Sequence, residues 1–338
     1  MAGKSTAADV ARAARVSLST VDRILNNRGG VTHEKERRVL DWARRLNLDR
    51  ALNQRAARTL RIAALIQPPD NPFHATVQAH FEAVNRDYSA FNIQFRIHHI
   101  DPNRPHDTGK LIARLAPSCD GLIIVSAHDD EIALNLNVMS GEGKLVITLA
   151  TPIRGVGAQT YIGPDNRKAG RVAGDLMGRF LGKERGDVIV IAGLLSMIGH
   201  EEREMGFRAA LRERYPWRRI SEVLESREKS ERAGDLVFDA LKRNPNIRGV
   251  YNASAGAQAV VDALNALGRR DKIIFITHEL TEDRRRLLHE GMIDAIIDQD
   301  PALEVRTAVE AIAAHFGRRD RPLASLITPI HIHTIENA

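Results

Sequence analysis

Apolar positions recur at two different spacings along the chain, and the change falls near residue 61. Before it the spacing is helical. Val10, Ala13 and Ala14 stand at i, i+3 and i+4, and Val21, Ile24 and Leu25 repeat the pattern, so two short helices are predicted between Thr6 and Asn26. Val16 falls in the corner between them, and Ser17 is placed to cap the second helix by accepting its orphan N–H groups. Thr32 and Glu36 form a loose cap for a third helix from about His33 to Asn47, with Val39, Leu40, Ala43 and Leu46 inward and Trp42 read as core. From Arg61 onward, apolar runs of strand length alternate with amphipathic stretches of helix length. Strands are expected near 61–66, 93–98, 121–126, 145–149, 188–192, 248–252, 273–277 and 293–298. Continuous Ile/Val runs argue for parallel strands buried on both faces. These are too many for one sheet, so the fold class is α/β: a small helical head, then two doubly wound parallel-sheet lobes with a cleft between them.

The net charge of +6 becomes informative when it is divided along the chain. Residues 1–61 hold 14 Lys+Arg against 6 Asp+Glu, and the remainder 35 against 37. A basic head on a nearly neutral body is the footprint of a polyanion binder. No run of about 18 apolar residues occurs and MAGKSTAADV lacks the apolar stretch of a secretory signal, so a cytoplasmic chain without a membrane segment is expected. The single cysteine, Cys119, excludes an internal disulfide framework and a thiolate zinc site.

On the second helix, Leu18, Ser19, Asp22, Arg23 and Asn26 remain on the outer face. These are residue types that reach base edges and phosphates when a helix enters the major groove. The run containing Thr6, Asp9, Val10, Ala11, Ala14, Val16, Ser17, Thr20, Val21, Arg23, Leu25 and Asn26 resembles the lactose-repressor (LacI) family of bacterial transcription regulators. Val31-Thr32 and Leu46-Asn47 fall where that family's third helix starts and ends. The resemblance implies a repressor-like regulator in which Leu18, Ser19 and Arg23 read bases, Asn26 and Thr32 hold phosphates, and Ser17 and Thr20 lie in the same DNA-facing set. It implies a homodimer on a pseudo-palindromic operator. Two departures stand out: Arg15 where the family has Gly in the corner, and Asp22 where it often has Ser.

The resemblance divides the chain into a DNA-binding head (1–47), a hinge (48–60) and an effector-binding and dimerisation domain (61–338). Lobe 1 is expected at about 61–155 plus 292–325 and lobe 2 at about 156–291. Arg50, Arg55 and Arg58 punctuate the linker, and Asn53, Ala57, Arg58 and Leu60 resemble the family's hinge run, with Leu52 in place of its Pro. Leu60 is the candidate minor-groove wedge, or equally the lead into the first strand.

Ligands of open α/β sheets sit beyond the carboxyl ends of the strands. Those ends supply Gln67 to His74, Ser126 to Asp129, Ala150-Thr151, Gly193 to Arg203, Asn252 to Ser254, His278-Glu279 and Gln299. Asn, Arg, carboxylate and Gln converging with one aromatic ring is the chemistry of polyol binding. The family's effector domain is shared with periplasmic sugar-binding proteins (periplasmic binding protein type I). That likeness sharpens Asn71, Phe73, Arg203, Glu279 and Gln299, with Asn252 and His74 beside them. Ala150-Thr151 replaces a charged Asp-Arg clamp found in sugar-binding relatives.

Other signals are weaker. Gly3-Lys4-Ser5 and Gly141-Glu142-Gly143-Lys144 lack phosphate-loop spacing. The His98-His99 and His331/His333 pairs have no third ligand in view, so no metal or cofactor is expected. Arg284-Arg285-Arg286 is read as the solvated face of a helix. A ligand-responsive regulator of a sugar-like effector is the favoured reading. The rivals are a solute-binding protein for sugar uptake, against which the basic head argues, a cleft enzyme, for which no nucleophile, metal set or cofactor loop is present, and a sequence-independent DNA-coating protein, which would show equal affinity for any duplex.

Overall fold

The computed structural model describes residues 5–26, 28, 30–46, 48, 58–87, 91–183, 185–318 and 326–338. Most of the hinge, including Leu52, Asn53 and Ala57, lies outside the described residues.

Three helices make the head: α1 (Ala7–Ala14), α2 (Leu18–Leu25) and α3 (His33–Arg45). Thr6 and Asp9 close a capping box on α1, and the Ser17 hydroxyl accepts the Thr20 N–H at 3.1 Å on α2. Val10, Ala11, Ala14, Val21, Ile24, Val39, Leu40 and Ala43 form its buried core, with Val16, Trp42 and Leu46 packed against them. The corner residue Arg15 adopts φ 53°, ψ 46°, the left-handed region in which a Cβ is unfavourable. The strain implied by Arg at a glycine position is therefore realised.

Beyond the head, β1 (Leu60–Ile66), β2 (Ile93–His99), β3 (Gly121–Ile124), β4 (Leu145–Leu149), β5 (Gln159–Pro164) and β11 (Ile327–Thr328) form one sheet in the order β11-β5-β4-β3-β1-β2, parallel throughout. A second sheet, β12-β10-β9-β8-β6-β7, unites β6 (Asp187–Ala192), β7 (Arg219–Glu225), β8 (Ile247–Asn252), β9 (Ile274–His278), β10 (Ala295–Asp298) and the antiparallel β12 (His331–His333). Strands β3 and β4 are buried along their whole length, the burial expected of Ile/Val runs covered on both faces. Helices α4 (Pro72–Asp87), α5 (Pro105–Leu115) and α6 (Asp130–Gly141) serve lobe 1. Helices α7 (Asn166–Leu181), α8 (Ile198–Arg214), α9 (Ser230–Arg243), α10 (Ala257–Ala266) and α11 (Glu282–His289) serve lobe 2, and α12 (Pro301–His315) returns to the core of lobe 1.

Two expected boundaries need correction. Residues 159–164, expected in lobe 2, pair with β4 in the first sheet, and 295–298, expected in lobe 1, pair with β9 in the second. The chain crosses between lobes after β5, β10 and β11, which sequence periodicity cannot register because both lobes use the same kind of strand. Leu60 is fully buried as the first residue of β1, its N–H donating to the Asn92 carbonyl at 2.8 Å. A wedge must be exposed to enter a groove, so the strand-lead reading of Leu60 is the one observed.

Candidate functional site

In both sheets the order reverses beside the first strand of the lobe, β1 in one and β6 in the other, so the carboxyl ends of β1, β3, β6 and β8 open towards a crevice. Helix α8 delivers Arg203 to that crevice because α7 lies against it at very short range. A Cβ on Gly170 would come within 1.9 Å of the Arg203 carbonyl oxygen, an approach that only glycine permits.

Arg203, 4% exposed, uses each of its three nitrogens. Nε donates to Asn166 Oδ1 at 2.8 Å, Nη1 to the Ala253 carbonyl at 3.0 Å and Glu279 Oε1 at 3.3 Å, and Nη2 to Gln299 Oε1 at 3.2 Å. Gln299 returns a bond from Nε2 to Glu279 Oε1 at 3.0 Å. The second Glu279 oxygen accepts from Arg284 Nη1 at 2.8 Å. Arg284 is 1% exposed and also donates to the Ser254 carbonyl at 3.2 Å. It is therefore no solvated-face residue, in contrast to the expectation for the Arg284-Arg285-Arg286 run. The first arginine turns inward on α11 because Glu279 supplies a charge to meet it.

On the lobe 1 side, Asn71 Nδ2 donates to Gln67 Oε1 at 3.3 Å and, across the crevice, to Glu228 Oε2 at 2.9 Å. Phe73 and His74 stand edge to face with ring centroids 5.1 Å apart, and both line the cavity. Further contacts close the lobes on one another: Gly199 N–H to Thr151 Oγ1 at 2.9 Å, Asn166 Nδ2 to the Ala150 carbonyl at 2.9 Å and His128 N–H to the Ser196 carbonyl at 2.8 Å. The enclosed cavity is about 40 Å³, far below the several hundred Å³ of a small-molecule pocket. A sugar-sized guest requires these contacts to part. Five non-glycine residues with positive φ cluster at the strand ends, Ala150, Arg227, Glu228, Glu279 and Asp300, which is where binding sites store backbone strain.

Burial sets the protonation of the site. It pushes His74 and His200 down to about 3, with neighbouring positive charge adding to the effect, and His278 well below its ordinary value. Burial pushes Glu228 up to about 7, with the Glu279 charge adding to the shift.

Of the expected cleft residues, Asn71, Phe73, His74, Arg203, Glu279 and Gln299 converge. Asn252 does not: its amide is spent in its own loop, on the Ala255 carbonyl and on Ser254. His200, within the expected Gly193–Arg203 stretch, lines the cavity too, and so does Glu228, which no expectation covers. Glu228 follows β7, an edge strand whose alternating sequence RISEVLE carries no apolar run. The strand-end rule applied to that alternation would have found it.

A larger concavity of about 490 Å³ lies between α7, α8 and β12. Its arginines are paired at the rim, Arg167 to Glu202 at 2.5 Å, Arg171 to Glu213 at 2.6 Å and Arg214 to Asp175 at 3.0 Å. The crevice is the better candidate.

In the head, Leu18 is 54% exposed and Ser17, Ser19, Arg23, Asn26 and Thr32 are exposed, with Thr20 half-buried. Asp22 faces outward, but its carboxylate is met by Asn26 Nδ2 at 2.6 Å and Arg28 Nη1 at 3.0 Å, which offsets an acid on a surface otherwise suited to phosphate. Helix α3 rests on lobe 1 through Glu36, 3.5 Å from Arg58 Nε, while Arg58 Nη2 binds Asp120 at 2.8 Å. Among the described residues no group of three or more His, Cys, Asp or Glu is placed to hold a metal ion, and no helix is long and apolar enough to cross a membrane.

Comparison with known proteins agrees with this division. Residues 62–319 match the family described as periplasmic binding protein domain, and residues 6–49 match the bacterial regulatory proteins of the lacI family. The chain is 24% identical over 149 residues to the D-allose-binding periplasmic protein of Escherichia coli, covering 44% of this chain and 48% of that protein. It is 22% identical over 179 residues to a D-ribose/D-allose-binding protein of Pseudomonas aeruginosa, covering 52% and 55%. The chain thus spans about half the length of the curated relatives it matches. A solute-binding protein of Burkholderia graminis, solved in complex with D-arabinose, superposes with a TM-score of 0.75 at 21% identity over 83% of this chain and 96% of that one, a likeness of fold. With a head that matches the lacI-family model over residues 6–49 and two lobes behind it, this chain belongs, through residues 62–319, to the periplasmic binding protein domain family.

Proposed function

We propose that this regulator is a cytoplasmic repressor whose grip on DNA is set by a small polyhydroxy effector held between the lobes. Two copies present their heads to the half-sites of a pseudo-palindromic operator. Leu18, Ser19 and Arg23 read base edges, Asn26 and Thr32 hold phosphates, and Ser17 and Thr20 order the start of the reading helix. In the crevice, Arg203, Glu279 and Gln299 offer fixed donors and acceptors to paired hydroxyls from one side, Asn71 and His74 do so from the other, and Phe73 gives a face to sugar C–H groups.

The observation that carries this reading is the Arg203–Glu279–Gln299 network, buried at the strand ends between two lobes that touch each other across it. Burying two guanidinia and a carboxylate is costly, and a function that needs them explains their retention. The effector alters DNA affinity only if it binds the DNA-competent and DNA-incompetent arrangements unequally. The names of the relatives, which bind allose, ribose and arabinose, support the choice of ligand class.

The test is fluorescence anisotropy of the full chain on promoter fragments and random duplex across a salt series, with and without each member of a sugar panel. Expected are a preference for one fragment, a log–log salt slope of about −0.9 per phosphate contact, and a shift in affinity with one sugar that Arg203→Ala abolishes. Equal affinity for every duplex, whatever sugar is added, would end this reading.

A further inference from the structure

We infer that Glu228 is the charge selector of the crevice: it admits an uncharged or cationic polyol and turns away the carboxylated or phosphorylated counterpart. This rests on the crevice being the effector site. The loop after β7 is built to hold this carboxylate. Arg227 and Glu228 are consecutive non-glycine residues at φ 55° and 61°, pinned by Ser226 N–H to the Ala192 carbonyl at 2.8 Å and Arg227 N–H to the Gly193 carbonyl at 2.7 Å. The carboxyl group passes under Gly193, where a Cβ would lie 1.5 Å from Oε1 and would displace the carboxyl.

The side chain is 6% exposed, and the Asn71 and Gln67 amides stand beside its carboxyl. Oε2 accepts from Asn71, whereas Oε1 has no hydrogen-bond partner among the described residues. Its nearest titratable neighbour is His200 Nδ1 at 3.7 Å, and His200 stays neutral in its buried position. A buried carboxylate oxygen without a donor, on a residue that lines the cavity, calls for one from whatever enters once the lobes part.

The positive charges of the site are already committed. Arg203 spends both Nη groups on Glu279, Gln299 and the Ala253 carbonyl, and Arg284 spends its Nη groups on Glu279 and on backbone carbonyls. At the end of β4, Ala150 and Thr151 supply no charge. An incoming carboxylate or phosphate therefore meets guanidinia whose charge Glu279 already shares, and a second acidic group in Glu228. A hydroxyl or an ammonium group donates to Glu228 Oε1.

The experiment is calorimetric titration of the full chain at pH 8 with matched sets: D-ribose, D-glucose and D-galactose, each with its sugar acid and its phosphate, and the amino sugars of the two hexoses. Wild type should bind a neutral or amino sugar at least about tenfold more tightly than the matching acid, and Glu228→Gln should narrow that ratio about tenfold by removing like-charge repulsion. A wild-type preference for the acid overturns the inference, as does an unchanged ratio in Glu228→Gln, while any titration lost in Arg203→Ala leaves the effector site standing. Should no compound bind either protein, the effector-site reading falls and the charge selector with it. Even if Glu228→Gln fails to fold, a wild-type preference for the acid overturns the inference.

Discussion

Replacing Glu279 with glutamine isolates what one carboxylate does for two buried cations. Its oxygens lie 3.3 Å from Arg203 Nη1 and 2.8 Å from Arg284 Nη1, and the two arginine side chains are 4% and 1% exposed. Glutamine keeps the volume and one acceptor oxygen, so neither a cavity nor a change of backbone strain at this left-handed residue enters the comparison. What changes is the charge, which leaves two guanidinia out of water without a counter-ion. Removing one partner from a buried pair costs about 3–5 kcal/mol, and here one removal strands two partners, so the upper part of that range is expected. Equilibrium urea unfolding of the full chain, followed by far-ultraviolet circular dichroism, measures the loss. Glu201→Gln is the control, because its pair with Arg154 is 59% and 32% exposed and is worth about 0–1 kcal/mol. If Glu279→Gln loses no more stability than Glu201→Gln, the network is not held by charge and the reasoning fails.

Stability should depend on pH through two opposed effects. His74 and His200 are depressed from 6.5 to about 3, and His278 is lowered as well, so the unfolded chain takes up protons first and their contribution is lost as pH falls below about 6.5. Glu228 is raised from 4.5 to about 7 with Glu279, Gln67, Asn71, Arg203 and His200 facing it, so its burial cost is absent below 4.5 and builds to completion near 7. Glu304, raised well above its ordinary value by burial, acts in the same sense as Glu228; three imidazoles outweigh two carboxyls, and Tm should climb between pH 4.5 and 6.5. Glu228→Gln should gain on wild type across pH 4.5–7 and hold a constant lead above it, whereas parallel Tm curves would contradict the assignment. In the head, Arg15→Gly should relieve about 1 kcal/mol of left-handed strain and slow amide exchange across α1 and α2; faster exchange would show that the Arg15 side chain contributes more than its backbone costs.

Much of the molecule was legible along the chain because it depends on neighbours in sequence. The α1 and α2 stripes, the Ser17 cap and the strained Arg15 corner all follow from residues within a few positions of one another. The buried parallel strands announced themselves as Ile/Val runs. Strands β5, β7, β11 and β12 did not, since short or edge strands satisfy only part of that pattern.

What sequence alone determined is therefore a basic helix-turn-helix ahead of two α/β lobes, and the strand ends at which a ligand would meet them. Which of those ends face each other was decided only in three dimensions. Arg203 meets Glu279 across 76 residues and Gln299 across 96, and Asn71 meets Glu228 across 157. Arg284 looks like any surface arginine until the fold brings Glu279 beside it, and Leu60 looks like a wedge until the first strand claims it. The physical reason is that local periodicity records which face of an element is apolar, whereas a polar site is formed by groups that meet only after the crossovers have brought the strand ends of the two sheets face to face.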